Sequence, residues 1–283
     1  MKVKNIRMLE IHIAVFLFGV SGLFGKLLLL QPMIIVLGRA FFSCLFLLMI
    51  ILYFKKDLKV KHYRDGLWFI LMGVILAIHW STFFKSIQVS SVAIGLLTFS
   101  TFPIFATFIA PYFSKEKMKL SDIVTALITF LGVILVIPGF ELGNNLTQGV
   151  LWGVASGFTY AILSILNRKF VNHYSSTVIA FYEQIIAAII LIPVIAWQRP
   201  ILQTRDILLL IILGIVFTGI AHSLFINGLK NVKTQTAGII SSLEPVYGII
   251  FAALLIKEIP SSKEILGGII ILSGVLYSTF KSK

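Results

Sequence analysis

The chain has 283 residues, 58% of them hydrophobic and only 12% charged, with a formal net charge of +13 and a mean hydropathy of +1.01. That apolar excess excludes a soluble domain, because even the largest polar connection, 55–65, is too short to fold alone. The basic charge does not point to nucleic acid either, since it falls in short segments between apolar runs, with no aromatic and basic platform outside them.

A bilayer core about 30 Å thick is crossed by ~20 mostly apolar helical residues. Ten stretches meet that length: 9–28, 34–54, 66–86, 91–113, 121–138, 148–167, 178–198, 207–228, 236–256 and 264–280. The first follows a basic start, as a secretory leader would. No small-residue cleavage pattern comes after it, so it reads as a retained helix. The fold class expected is an all-α integral membrane protein with ten transmembrane helices. Lys26 ends the first span, and Arg39 and the single cysteine, Cys44, lie within the second. One buried cysteine supports no disulfide, and no Cys/His cluster stands at metal-ligand spacing, so neither a metal nor another cofactor is expected.

Charge then sets direction. With the N-terminus inside, the inner segments hold 17 of the 24 Lys and Arg residues. The outer segments hold Lys26, Lys85, Arg199, Arg205, Lys257 and Lys263, and Arg39 is within a span. The positive-inside rule therefore predicts a multi-pass plasma-membrane protein with both termini cytoplasmic, its basic loops against anionic lipid headgroups.

Polar residues at membrane depth are expensive and normally face a partner or an aqueous cavity. In chain order they are Arg39, His79 beside Trp80, Ser100 and Thr101 just before Pro103, Tyr160, Glu183, His222, and Glu244 just before Pro245 with Tyr247 after it. His79, Trp80, Ser100, Thr101, Tyr160, His222, Glu244 and Tyr247 are expected to line a substrate cavity. Glu183, Glu244 and Arg39 are the candidates for proton coupling or gating, because desolvating a carboxyl favours its neutral form. A competing role for Glu244 is to bind backbone groups freed by Pro245. Pro103 and Pro245 are expected to bend their helices and serve as hinges. Span six carries Gly149, Gly153, Gly157 and Ala161 at intervals of four, a seam for close helix packing. In span nine, Ala237, Ser241, Glu244, Gly248 and Ala252 form one small and polar stripe.

Shifting the chain against itself by 142 residues superposes Pro103 on Pro245, Glu116 on Glu258, Asp122 on Glu264 and Gly132 on Gly274, and likewise Phe83 on Phe225, Ser100 on Ser242 and Lys26 on Arg168. The chain thus reads as a duplication, 1–142 and 143–283. Five spans per copy is an odd number, so the second copy enters from the opposite side. Two inverted five-helix repeats around a midplane site are the usual build of secondary transporters working by alternating access. A membrane-embedded enzyme would need an arrangement such as His-Glu-x-x-His or paired intramembrane aspartates, and none is present. A receptor or scaffold would bring an extramembrane domain.

These residues resemble the drug/metabolite transporter superfamily, and within it the EamA-like ten-helix transporters. The resemblance runs through Phe18-Gly19 with Lys26, Arg39, Phe102-Pro103 and Glu116. It continues through Tyr160-Ala161 with Arg168-Lys169, Glu244-Pro245 and Lys257-Glu258. It implies a five-plus-five inverted repeat, each copy an EamA-like unit, around a central cavity. It also implies carriage of a small metabolite, such as an amino acid or related amphipathic solute, with export the expected direction. Substrate identity, coupling ion and oligomeric state are not fixed by it.

Overall fold

The computed structural model describes residues 2–113, 120–136, 143–232, 237 and 240–281. The described residues form helices and short connections, with no strand among them. In order they are α1 (Lys2–Ser21), the single turn α2 (Phe24–Leu27), α3 (Pro32–Tyr53), α4 (Tyr63–Val89), α5 (Val92–Phe99), α6 (Phe102–Phe113), α7 (Leu120–Val136), α8 (Asn145–Phe170) and α9 (Ser176–Gln198). There follow α10 (Thr204–Gly214), a π-helical segment (Ile215–Ile220), α11 (Ala221–Gly228), α12 (Glu244–Phe251), a second π-helical segment (Ala252–Ile256) and α13 (Ser262–Lys281). Seven helical stretches are long and apolar enough to cross a membrane, and Ala126–Val136 and Glu244–Ile256 are shorter apolar ones. The spans expected at 121–138, 236–256 and 264–280 fall on α7, on α12 with its π-helical extension, and on α13. Parts of the first two lie outside the described residues, as does Glu116.

Local chemistry sets the helix ends. Pro32 opens α3 where its missing N–H is harmless. Ser91 and Asn144 cap α5 and α8 by accepting from the amides of Ile94 and Leu146. Lys55, Arg199 and Lys257 end their helices with positive φ, each placing a cation at a negative helix C-terminus.

Packing follows the small residues, as it must where apolar burial gives no net drive. Gly149, Gly153 and Gly157 of α8 lie against Ser90 and Ser86, Thr98, and Phe99 with Thr101. The glycine ridge is therefore a contact seam with α4 and α5. Helix α1 pairs with α11 much as α4 pairs with α8, while α3 meets α9, α5 meets α12 and α7 meets α13. A 142-residue shift exchanges the first two of these pairings and maps α3 with α9, and α7 with α13, onto themselves. The small and polar stripe of span nine is buried at every position.

Neither proline simply bends a continuous helix. The helix stops at Phe99 and restarts at Phe102. The second copy stops after Ser241 and restarts at Glu244. Pro103 and Pro245 sit in the first turn of the restarted helix, where no intrahelical donor is needed. Gly19 of α1 packs on the second break: a Cβ there would lie 2.6 Å from the Glu244 carbonyl oxygen and 3.0 Å from the Gly248 amide. Both are backbone atoms and cannot step aside. Gly19→Ala is therefore expected to cost about 1–3 kcal/mol, read as a lowered thermal midpoint in detergent micelles. An unchanged midpoint would mean that α1 stands farther from the break.

The two ends of the bundle differ. At the basic end, Tyr174 hydrogen-bonds Asp65 at 2.6 Å and Lys61 Nζ donates to the His173 carbonyl. Burial, with the Asp65 carboxylate beside it, holds the Tyr174 phenol above its usual pKa. At the opposite end, Lys26 Nζ donates to the Ser90 carbonyl at 2.7 Å and Gln88 to the Leu30 carbonyl. There the N-terminus of α5 is also held by carboxylates distant in sequence. Glu258 accepts from the Val92 amide, and Glu264 from the Ser91 hydroxyl at 2.6 Å.

Candidate functional site

Midway along the bundle lies a cavity of about 30 Å³, lined by Phe18, Ser21, Arg39, His79, Trp80, Phe83, Phe99, Tyr160, His222 and Glu244. It has room for little more than a water molecule, well below the ~300 Å³ of a ligand pocket. The site is contracted in this conformation.

Its cation comes from α3. Arg39 is 2% exposed. Its Nε donates to Thr218 Oγ1 at 3.0 Å, and its guanidinium lies 4.0 Å from the Trp80 ring centroid and 5.3 Å from that of Phe84. Thr218 sits in the π-helical segment of span eight, where its hydroxyl donates to the Leu213 carbonyl five residues back. The widened turn turns the Thr218 oxygen toward Arg39, and such bulges gather at functional sites.

Its anion comes from the restart of span nine. Glu244 is 6% exposed, and no hydrogen bond joins its carboxylate to a described residue. Arg39 and Glu244 face one cavity, but no ion pair joins them. Placing Glu244 at the first position of α12 points its side chain inward beside the helix N-terminus, whose positive end suits a carboxylate. The alternative reading, that Glu244 satisfies backbone groups freed by Pro245, finds no such bond here.

Aromatic rings complete the wall. His79 is anchored to α8, its Nδ1 3.1 Å from the Ser156 carbonyl and 2.8 Å from the Ser156 hydroxyl. A carbonyl only accepts, so Nδ1 carries the proton and Nε2 is left as an acceptor. The His79 ring lies 4.9 Å from Tyr160, Tyr160 5.3 Å from Phe99, and Trp80 6.0 Å from His222. Trp80 and His222, equivalent under the 142-residue shift, thus meet edge to face. Phe18 and Tyr160, another equivalent pair, line the cavity together.

His222 also binds Glu183 of α9, with Nε2 2.7 Å from Oε2. Both side chains are buried, and Glu183 Oε1 and both amide atoms of Gln184 have no hydrogen-bond partner among the described residues. Glu183 does not itself line the cavity.

Of the expected cavity residues, the structure gathers His79, Trp80, Tyr160, His222 and Glu244, together with Arg39. Three lie elsewhere. Ser100 and Thr101 turn their hydroxyls back onto the Leu96 and Thr98 carbonyls of the last turn before the break, away from the cavity lining. Tyr247 faces α1, its ring 5.5 Å from Phe16, because the close packing of Gly19 on Gly248 brings that side of α12 against α1. Phe18, Ser21, Phe83 and Phe99 join the lining without being among the expected cavity residues, although the equivalence of Phe18 with Tyr160 is a usable signal. Among the described residues, no group of three or more His, Cys, Asp or Glu side chains could hold a metal ion.

Larger, and open at the basic end, is a vestibule of about 450 Å³ between α3, the start of α9 and the end of span eight. Gly219 and Ser223 line it while His222 lines the central cavity, so span eight borders both spaces.

Comparison with known proteins agrees with this architecture. A transporter of Bacillus subtilis (strain 168) named YxxF and described as uncharacterized is 27% identical over 282 residues, 97% of this chain and 89% of its own. The S-adenosylmethionine uptake transporter of Rickettsia bellii (strain RML369-C) is 26% identical over 247 residues, 87% of this chain and 82% of its own. One crystal structure superposes with a TM-score of 0.71 over 97% of this chain and 96% of its own, at 15% identity, a likeness of fold. The model of the EamA-like transporter family matches residues 6–137 and again 147–280. With that double match on a helical bundle that encloses a polar cavity, the chain belongs to the EamA-like transporter family.

Proposed function

We propose that this membrane transporter carries a small zwitterionic solute, an amino acid or a related amphipathic metabolite, by alternating access through the cavity around Arg39 and Glu244. The observation that carries the reading is the pair of opposite, desolvated groups, Arg39 and Glu244, that share one aromatic-walled space without a direct ion pair between them. A carboxylate on the solute would meet the guanidinium, its ammonium would meet Glu244, and its apolar part would rest on Phe18, Trp80, Phe99 and Tyr160. Buried charges left this way gain most from a ligand that supplies both complements.

Residues 1–142 and 143–283 act in this reading as the two inverted repeats. The self-mapping contacts of the helices support that division. The basic segments favour a plasma-membrane location with both termini in the cytoplasm. The present form is then closed at the outer end through Lys26, Gln88, Glu258 and Glu264, while the vestibule opens toward the cytoplasm behind the wall that span eight gives the central cavity. The breaks before Pro103 and Pro245 are the places where half-helices would pivot. Export remains the expectation from resemblance. The Rickettsia relative is named for uptake, and an alternating-access carrier runs down whichever gradient it is given. No enzymatic step is assigned.

Flux into proteoliposomes tests the class. Radiolabelled methionine, phenylalanine and S-adenosylmethionine are expected to show saturable uptake, blocked by free amino acids and not by their amides or N-acetyl forms. Equal competition by those derivatives would overturn the zwitterion assignment. Absence of saturable flux for every solute tried would overturn the carrier reading itself.

A further inference from the structure

The vestibule has a chemistry distinct from the central cavity. Its polar lining is basic and hydroxylic: Lys56, Lys230, Ser175, Ser176, Thr177 and Ser223, with no carboxylate among its lining residues. The N-terminus of α9, a 23-residue helix, opens into it. Ser175 at the N-cap makes no side-chain capping bond; its carbonyl takes the Val178 and Ile179 amides, which leaves those of Ser176 and Thr177 as the first-turn donors. Lys56 Nζ reaches this turn, 2.7 Å from Thr177 Oγ1. Ser223 Oγ is buried with no hydrogen-bond partner among the described residues. Asn227, also on the wall, is turned to Glu10 and does not contribute. The other wall is apolar, formed by Phe46, Leu47, Ile50, Ile220 and Leu224, and Ile220 is exposed on the outside of the bundle.

From this arrangement we infer that the vestibule binds a phosphate-bearing anion, its phosphate held by Lys56, Lys230 and the first turn of α9. Two ammonium groups and a helix N-terminus converging on one concavity form an anion site of familiar physics. A basic pocket between membrane helices at the cytoplasmic end matches the chemistry of lipid headgroups. About 450 Å³ accommodates a glycerophosphate-sized group. Partial burial lowers the Lys56 pKa, an unfavourable setting for a lone ammonium that an anion beside it would relieve. The phosphate can arrive from two sources, an anionic phospholipid entering along the apolar wall or a soluble organic phosphate entering from the aqueous side.

The test uses the full-length protein in detergent micelles, with thermal midpoint and native mass as readouts. Phosphatidylglycerol is expected to remain bound and raise the midpoint by several degrees, whereas phosphatidylcholine does not. Glycerol 3-phosphate without lipid should do the same if the ligand is soluble. Either outcome supports the site and names its source. Lys230→Gln, at an exposed side chain, should weaken binding by about tenfold, and adding Lys56→Gln should abolish it, while Lys56→Arg retains it. Lys263→Gln, at the opposite end, serves as the control. Equal response to phosphatidylcholine and chloride would overturn the assignment. So would an equal loss in the Lys263 control, which would mean diffuse electrostatics.

Discussion

Arg39→Gln is expected to lower saturable flux of a zwitterionic solute by about 100-fold or more, and Glu244→Gln by roughly 10- to 100-fold. A hydrogen bond to a charged group contributes about 1.5–3 kcal/mol, which is roughly 10- to 100-fold in affinity. That range covers Glu244, whose replacement leaves a guanidinium already supported by Thr218 and the Trp80 face. Arg39 stands differently. Its removal takes away the ligand for the solute carboxylate and leaves Glu244 as a buried anion with no cation facing the same cavity. The double variant should therefore be less impaired than the product of the single effects, the mark of two charges that act on one ligand. Competition by derivatives separates this from simple misfolding. In Arg39→Gln an amino-acid amide should gain on the free amino acid, and in Glu244→Gln the N-acetyl form should gain. Preserved wild-type preference in both variants would remove these residues from recognition.

Much of the bundle can be read from residues alone because lipid leaves few options: a backbone that cannot bond to solvent must be helical, and apolar length gives the crossings. The site was partly legible for the same reason. Arg39, His79, His222 and Glu244 are polar residues where polarity is expensive, and all four meet at one cavity. The misplaced residues share one cause. Ser100, Thr101 and Tyr247 are read as cavity lining from their places beside Pro103 and Pro245, and the helix breaks at both places. A proline in sequence marks an irregularity but does not say whether the chain bends through it or stops and restarts. The π-helical segments are likewise invisible to a 3.6-residue pattern. Thr218 became visible only once its hydroxyl reached Arg39. The aromatic lining was hidden by number: with 24 phenylalanines in the chain, nothing in composition separates Phe18 or Phe99 from those that face lipid. The partnership of Glu183 with His222 is a tertiary fact between α9 and α11, 39 residues apart, and no local spacing announces it.

That partnership carries the other large effect. His222→Phe should destabilise the protein by about 3–5 kcal/mol, because it strands the Glu183 carboxylate in a site with no other donor to either oxygen. Glu183→Leu combined with His222→Phe should recover most of that loss, since replacing both members of a buried pair by apolar groups of similar size is close to neutral. Unfolding in detergent checks the order: wild type, double variant, then His222→Phe. A double variant as unstable as the single one would mean that packing, rather than the unpaired charge, sets the loss. Glu183→Gln separates stability from coupling. A glutamine can keep a hydrogen bond to the imidazole but cannot exchange a proton. If Glu183 couples flux to protons, this variant should fold, retain solute exchange at equal pH, and lose the accumulation driven by a pH gradient. His222 stands on span eight, which borders both the vestibule and the central cavity, so a proton taken up by the pair would change a contact of that shared wall. Gradient-driven accumulation at the wild-type level in Glu183→Gln would assign the pair to structure alone.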